Sequence, residues 1–439
     1  MTELLTIAKD ILALARKEGA TDAEAIVADG SDRSITIRNG EIENLEQAEA
    51  REATVRVFVG KSSATMSGSV LTPDALERLV SRAVAMAKLA PPDPYAGLAD
   101  PSQLATHFPD LDVASPEVIT ADQLRERAQE TERTALAVKG VTRSNGAGAS
   151  SYSGHSAVAA SNGYERTSHR TSFGNSVSVI AGEGTAMERD FDGHAAVYWS
   201  DLEPAEKIGR TAGERAVRRL NPRKMPSQTV PVIFDRRIAT SLVGHLLGGI
   251  NGAAIARGTS FLKEDLGKAL FAPNVTIIDD PLRRRSLASR AADGEGLPVS
   301  RRAVIDKGVL TNWILDLRSA RQLGLAPTGQ GGRGGPSTSN VHMEAGTRSP
   351  EEMMKAVGTG FLVTEFIGSS INMVTGDYSR GASGYWIENG EPAFPVSEIT
   401  IAGNLRAMFK ALEPANDLIF RSSTVAPTCL LGEMTLAGR

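Results

Sequence analysis

Any hydrolytic, redox or metal chemistry in this 439-residue chain has to be built from six histidines, one cysteine, scattered acids and a glycine-rich loop. The histidines are His107, His155, His169, His194, His245 and His342, and no two stand within five residues of each other. A zinc helix presents two ligands about one turn apart, so no local metal motif is present. His245 comes nearest to one, in the apolar run Ser241-Leu-Val-Gly-His-Leu-Leu-Gly-Gly-Ile250. Leu246 stands where a general base belongs, and Gly249 and Ile250 stand where a second ligand belongs. None of the three can coordinate an ion or move a proton. His245 therefore reads as a histidine satisfied by hydrogen bonds in packing or at an interface.

The remaining candidates are weaker. Gly329-Gln-Gly-Gly-Arg-Gly-Gly335 matches G-x-G-x-x-G, but Pro327 precedes it and Pro336 follows, so the strand and helix of a phosphate loop are missing. It reads as a flexible or substrate-lining loop. Arg283, Arg284 and Arg285, with Arg290, Arg301 and Arg302 nearby, could meet a carboxylate, although a solvated face is the simpler reading. Cys429 lies in the apolar Thr428-Cys-Leu-Leu431 with no adjacent histidine or cation to activate its thiol. Thr259-Ser260 lacks the second glycine of a nucleophile elbow. Asp377 and Glu388 share a polar, glycine-broken stretch and are a weak pair of acids. No catalytic, cofactor or metal-ligating residue is assigned to this chain.

The elements that would position such groups are legible from periodicity. Leu4, Leu5, Ala8, Ile11, Leu12 and Ala15 recur at helical spacing before Gly19. Short strands are expected at 25–28, 34–38, 41–45 and 53–59, with Asn39-Gly40 as a tight hairpin turn. Thr72-Pro73-Asp74 starts a second helix and 121–138 forms a third. The proline-punctuated stretch from Pro91 to Pro116 reads as a linker or surface excursion between them. Antiparallel strands fill 140–200, and Pro204 opens a helix to Leu220. After the prolines at 222 and 226, strands are expected at 230–234, 275–279, 303–305, 309–315, 361–366, 384–387 and 393–396. Two helical segments accompany them: 238–247, and one capped by Ser349. Asp306-Lys307-Gly308 and Glu388-Asn389-Gly390 are hairpin turns. The fold class is α+β and mainly antiparallel, with two domains at 1–225 and 226–439.

Composition removes whole classes of function. Hydrophobic residues make up 41% of the chain, enough for one large core or several ordinary ones. A formal charge of −4 gives no global attraction to nucleic acid or anionic lipid. One cysteine excludes an internal disulfide framework and suits a reducing compartment. Met1 to Gly19 carries charges throughout, so it reads as a helix and not as a signal peptide. No apolar run reaches membrane-spanning length. A cytoplasmic protein is expected.

The run Thr375-Gly-Asp-Tyr-Ser-Arg-Gly-Ala-Ser-Gly-Tyr-Trp-Ile-Glu-Asn-Gly-Glu391, continuing through Phe394 to Leu405, resembles the C-terminal signature of the PmbA, or TldE, branch of the TldD/PmbA peptidase family. Ile37-Arg-Asn-Gly-Glu-Ile42, Arg257-Gly-Thr-Ser-Phe-Leu262 and Ser319-Ala-Arg-Gln-Leu-Gly-Leu325 agree with it in order along nearly the whole chain. In this family the metal-bearing subunit, TldD, carries a His-Glu-x-x-x-His helix upstream of Arg-Gly-[Ser/Thr]-Ser. Here that upstream region is 241–256, which has neither the His-Glu pair nor the second histidine. The resemblance implies a heterodimer in which a TldD-like partner holds the zinc and hydrolyses unstructured peptides, while this chain binds no cofactor and shapes the chamber. Such complexes also trim peptide antibiotics. Two alternatives stay open: a divergent hydrolase using His245, His342 and distant acids, and a binding module for a gyrase-related or toxin–antitoxin partner, as the family's older naming suggests.

Overall fold

A computed structural model describes residues 2–438 of the chain. Its first part is built from α1 (Thr2–Lys17), β1 (Asp22–Arg38), β2 (Glu41–Val59), β3 (Ser62–Gly68), α2 (Pro73–Leu89), α3 (Ala121–Leu136), β4 (Val141–Ala160), β5 (Glu165–Ala181), β6 (Glu188–Ala196) and α4 (Ala205–Arg218). The strands form one antiparallel sheet in the order β3-β2-β1-β4-β5-β6. Asn39 and Gly40 have φ of 53° and 81°, the positive angles of the expected hairpin turn. Glu132 of α3, itself buried, accepts hydrogen bonds from both turn amides at 2.9 and 2.7 Å. The turn is thereby tied to a helix that would otherwise bury an unpaired carboxylate.

Successive residues of a strand point to opposite faces, and this sheet uses its two faces differently. Ala25, Val27, Ala157 and Ala159 pack beneath α1 and α2, and Ile35, Ala149, Phe173 and Val177 pack beneath α3 and α4. α3 and α4 approach so closely that a Cβ on Gly209 would lie 2.3 Å from the carbonyl oxygen of Thr131. The other face reads Ser34, Thr36, Gly148, Ser150, Gly174 and Ser176 toward one end, and Val158, Ser156, Arg166, Ser168 and Arg170 toward the other. It is a wall of small and polar side chains free of helices.

Two expectations for this part need correction. β1 and β2 are continuous strands of 17 and 19 residues, where sequence patterning predicts two short strands in each. Asp29 to Arg33 resembles a loop in composition, yet it pairs with β2 on one side and β4 on the other, so its backbone is satisfied whatever its side chains. The second correction concerns the proline-rich stretch at 91–116, which is a strap held to the second part of the chain. Arg321 donates to the carbonyls of Tyr95, Gly97 and Leu98, Arg318 pairs with Asp93, and the Ala105 amide donates to Gly296.

The second part contains β7 (Gln228–Phe234), α5 (Arg236–Gly249), α6 (Gly252–Ala256), β8 (Ile277–Asp279), β9 (Arg302–Asp306), β10 (Val309–Leu310), α7 (Leu317–Leu323), β11 (Gly331–Gly332), β12 (Gly335–Pro336), β13 (Val341–Met343), α8 (Pro350–Val357), β14 (Gly360–Ile371), β15 (Asp377–Glu388), β16 (Glu391–Asn404), α9 (Leu405–Ala411), β17 (Glu413–Pro414), β18 (Thr424–Val425) and β19 (Cys429–Ala437). The order β16-β15-β14-β7-β19-β17 is closed on itself by a β16–β19 pairing, so five of these strands form a ring. Phe234, Phe361, Tyr378, Ile401 and Leu436 fill the largest core together with Leu242, Val243 and Leu246 of α5. A second sheet runs β10-β9-β8-β13-β18. Pairing is antiparallel except for β7 with β14 and β13 with β18. The architecture is α+β and mainly antiparallel.

Three helices here, α6, α7 and α9, go beyond the expected pair. The predicted strand at 309–315 ends at Leu310, because Asp316 caps α7 through the Ser319 amide at 2.8 Å and Gly324 closes that helix with φ of 66°.

Candidate functional site

The helix that would carry a metal in a zinc peptidase is α5. Its N-cap is Asp235, whose side chain accepts from the Arg237 amide at 2.9 Å. At its far end Ser260 donates to the Gly249 carbonyl and accepts from the Leu262 amide, so the Arg257 to Leu262 segment folds back as a cap. His245 lies edge-on to Tyr378, with ring centroids 5.9 Å apart. Burial first, and Arg380 second, push its pKa down to about 4, which leaves the ring neutral at pH 7. Its Nε2 is buried and has no hydrogen-bond partner among the described residues. The expectation of a hydrogen-bonded histidine is therefore corrected at that atom: the ring is held by packing in a largely apolar setting.

The neighbouring positions complete the picture. Leu246 and Ile250 are fully buried in the core. A Cβ on Gly249 would stand 2.9 Å from Leu262 and 3.1 Å from Phe261. These residues do not fit a zinc ion, which needs about three protein ligands and an open position. Among the described residues, no group of three or more His, Cys, Asp or Glu could hold a metal ion.

The other histidines fall in separate surroundings. His342, on β13, places Nδ1 3.1 Å from an Arg283 guanidinium nitrogen, and Phe420 packs against both side chains. Burial, then Arg283, push it down to about 4. His194 accepts from the Glu203 amide at 3.1 Å. His155 and His169, 14 residues apart in sequence, stack in register across β4 and β5 with centroids 4.1 Å apart. Burial and then His155 lower the pKa of His169. His107 is exposed. Of the two histidines of the divergent-hydrolase alternative, His245 packs on Tyr378 and His342 on Arg283 and Phe420.

Asp377 and Glu388 stand at opposite ends of β15, roughly 35 Å apart at strand rise, so they form no acid pair. Asp377 is engaged by Thr375 and Asn404. Cys429 is fully buried, and burial raises its thiol pKa far above the usual range. The glycine-rich segment is not a phosphate loop, because its glycines form a short hairpin with no helix after it. β11 and β12 make a small hairpin fixed by Asp293, which accepts from the Gly331 amide at 2.9 Å, and by Arg290, which donates to the Ser337 carbonyl at 2.6 Å. Arg290 is thus separated from the rest of its sequence cluster. Arg285 and Arg284 are partly solvated but pair with Asp112 at 2.7 and 3.5 Å, and Arg301 approaches Glu344 at 3.8 Å.

What periodicity alone did not single out is the wall of the first sheet. At the end near β6 it forms a cavity of about 470 Å³ lined by Ser34, Thr36, Ser150, Ser176, His194 and Arg421. Beside it, charged residues tie the two parts together. Arg421 pairs with Asp192 at 3.1 Å and with Glu203 at 2.6 Å, Arg215 also pairs with Asp192, and Arg237 pairs with Asp190 at 3.0 Å. Arg219 reaches Asp190, Glu188 and Glu365.

Comparison with known proteins decides the lineage. The PmbA/TldA metallopeptidase family models match residues 23–87 (domain 1), 114–220 (central domain) and 227–438 (C-terminal domain). The metalloprotease PmbA of Escherichia coli O157:H7 is 38% identical over 430 residues, which cover 97% of this chain and 95% of that one. The chain belongs to the PmbA/TldD metallopeptidase family. A PmbA homologue from Haemophilus influenzae is 35% identical over 97% of this chain and 94% of its own length. Among solved structures, a protein titled a modulator of DNA gyrase from Bacteroides thetaiotaomicron superposes with a TM-score of 0.92 at 26% identity, covering 99% of this chain and 98% of that one. TldE from Thermococcus kodakarensis shares the fold, with a TM-score of 0.86 at 21% identity, covering 98% of this chain and all of that one. No helix among the described residues is long and apolar enough to cross a membrane.

Proposed function

We propose that this member of the PmbA/TldD family is the accessory, TldE-like subunit of a cytoplasmic heterodimeric peptidase. A TldD-like partner holds the catalytic zinc, and unstructured peptides are the substrates. One observation carries the reading: on α5, Leu246 and Ile250 are core residues where a base and a second ligand would have to stand, and His245 is neutral and packed against Tyr378. A ligand helix must aim its donors at an open position, whereas this one aims them into a filled core.

Two further features support it. The Ser- and Gly-rich wall offers hydroxyls and closely approachable backbone to an extended chain without demanding a particular side chain, which suits peptide handling. In addition, β2 pairs with β3 only from Ala53 onward, so among the described residues its outer edge is unpaired over 41–52. That exposed edge carries Glu41, Glu43, Glu46, Glu49 and Glu52, charges that disfavour indiscriminate strand pairing while leaving room for a specific partner. The test is a cleavage assay on an unstructured peptide with this chain alone, with the TldD-like subunit alone, and with the mixture. Activity requiring the mixture is expected. Equal activity from this chain alone would select the divergent-hydrolase reading.

A further inference from the structure

The end of the wall away from β6 closes against the β11–β12 hairpin around a cavity of about 410 Å³, within the range of roughly 300–1,000 Å³ typical of ligand clefts. Four guanidinium-bearing side chains line it: Arg166 and Arg170, brought to one face by the two-residue period of β5, Arg290, and Arg333 at the hairpin tip. None of the four has a carboxylate within 4.0 Å among the described residues. Their partners are neutral. Arg170 donates to the carbonyls of Leu287 and Ser289, Arg290 to the carbonyl and hydroxyl of Ser337, and Arg166 lies over the Phe108 ring. The Nε of Arg290 is buried with no partner.

One acid, Asp293, also lines the cavity. Its oxygens are already committed to the amides of Glu295, Leu297 and Gly331 at 2.8–2.9 Å. Glu24 feels both Arg56 and Arg333 but does not line the space. Burial, and then repulsion from Arg166 and Arg290, lower the pKa of Arg170, while Asp279 and Asp293 oppose the charge of Arg290 only through space, so positive groups outnumber the acid in the lining. Positive charge held in a partly dehydrated cleft favours an anion, and the planar guanidinium fork matches a carboxylate in particular. Tyr164 and Ala292, which line the cavity, pack with Ala105 and Ala160 at its end, so an extended chain lying along the wall would end here.

We propose that this cavity is a carboxylate-binding site that receives the C-terminal end of an extended peptide lying along the wall. It rests on the peptide-handling part of the reading above, but not on the zinc partner. The test is calorimetric titration of the full chain, without partner, using one unstructured peptide as the free acid and the same peptide as the C-terminal amide. The free acid should bind at least about tenfold more tightly, and added salt should shrink that preference. Arg333→Gln and Arg166→Gln should each lower free-acid affinity several-fold more than amide affinity, and Arg166→Lys should lose less; thermal unfolding of each variant checks the fold. Equal binding of acid and amide, no binding of either, or full preference retained in both Gln variants overturns the proposal. Inorganic phosphate binding more tightly than the free-acid peptide would reassign the cavity to a free oxyanion and overturn the peptide-end assignment. Failure of the accessory-subunit reading would show separately, as no gain of cleavage on mixing subunits while the acid preference stands.

Discussion

Two arginine clusters flank the first sheet and resolve their charge in opposite ways. Beside β6, Arg215, Arg219, Arg237 and Arg421 are each paired with acids, and the pairs Arg219–Glu365, Arg237–Asp190 and Arg421–Asp192 cross from the first part of the chain to the second. At the other end, Arg166, Arg170 and Arg290 meet carbonyls, hydroxyls and a ring, and Arg333 has no ion-pair partner among the described residues. A buried cation is tolerated when something neutralises it, so the first cluster is complete in the folded chain and acts as a latch. The second is opposed only through space, by Asp279 and Asp293, and has no direct ion pair among the described residues. The C-terminal half of α5 marks the far end of the same scale, since His245 is kept uncharged and the positions that follow it are leucine and glycine, with Ile250 just beyond.

The contrast is sharpest where charge is forced into the uncharged region. Leu246→Glu places a carboxyl in a fully buried position and should cost at least about 4 kcal/mol of stability, read by denaturant unfolding. A loss under about 1 kcal/mol would mean that α5 can accept a base. Next in size, Asp192→Ala leaves Arg215 without its ion-pair partner and Arg421 with Glu203 alone, and should cost about 3 kcal/mol, as breaking one partner of a buried pair does. Its removal should also loosen the attachment of the second part, visible as faster amide exchange in β6 and α4. A loss no larger than that of a surface substitution would erase the distinction between the clusters.

Acidification gives a smaller, graded effect. His245 and His342 have folded-state pKa values pushed down to about 4, below the ordinary value of about 6.5. Between those values the unfolded chain binds more protons than the folded one, so their contribution to stability is full above pH 6.5 and is lost as pH falls toward 4. His245→Leu should make the fall in unfolding free energy over this window shallower. An unchanged slope would show that His245 is not held neutral by its surroundings. The smallest effect is expected at the open cluster, where Arg333→Gln should leave stability within about 0.5 kcal/mol, because its side chain is exposed and has no ion-pair partner to lose.

Much of this could be read from the sequence, and the failures have physical causes. Helices with both a cap and a 3.6-residue stripe were legible, as at Leu4 to Ala15 and at Ser349-Pro350. So were the three tight turns, where Asn39, Lys307 and Asn389 adopt positive φ before glycine. Composition misled where tertiary pairing overrides it. Asp29-Gly30-Ser31-Asp32 looks like a loop but sits mid-sheet, paired on both sides. α7 was missed although Asp316 and Gly324 bracket it, because its seven residues are too short to show a stripe. That His245 has no glutamate beside it and no second histidine a turn on was plain in the residues themselves. The arginine cavity was not: Arg166, Ser168 and Arg170 alternate visibly along one strand face, but Arg290 and Arg333 reach them only through long-range folding.

Metal content bears most directly on the central claim that this chain supports a zinc-bearing partner without holding the ion itself. Zinc should be measured by atomic absorption on the purified chain, on a TldD-like subunit, and on their complex. The account predicts substoichiometric zinc in this chain alone and about one zinc per heterodimer, a ratio expected of a single three-ligand catalytic site. One tightly held zinc per molecule of this chain by itself would contradict it.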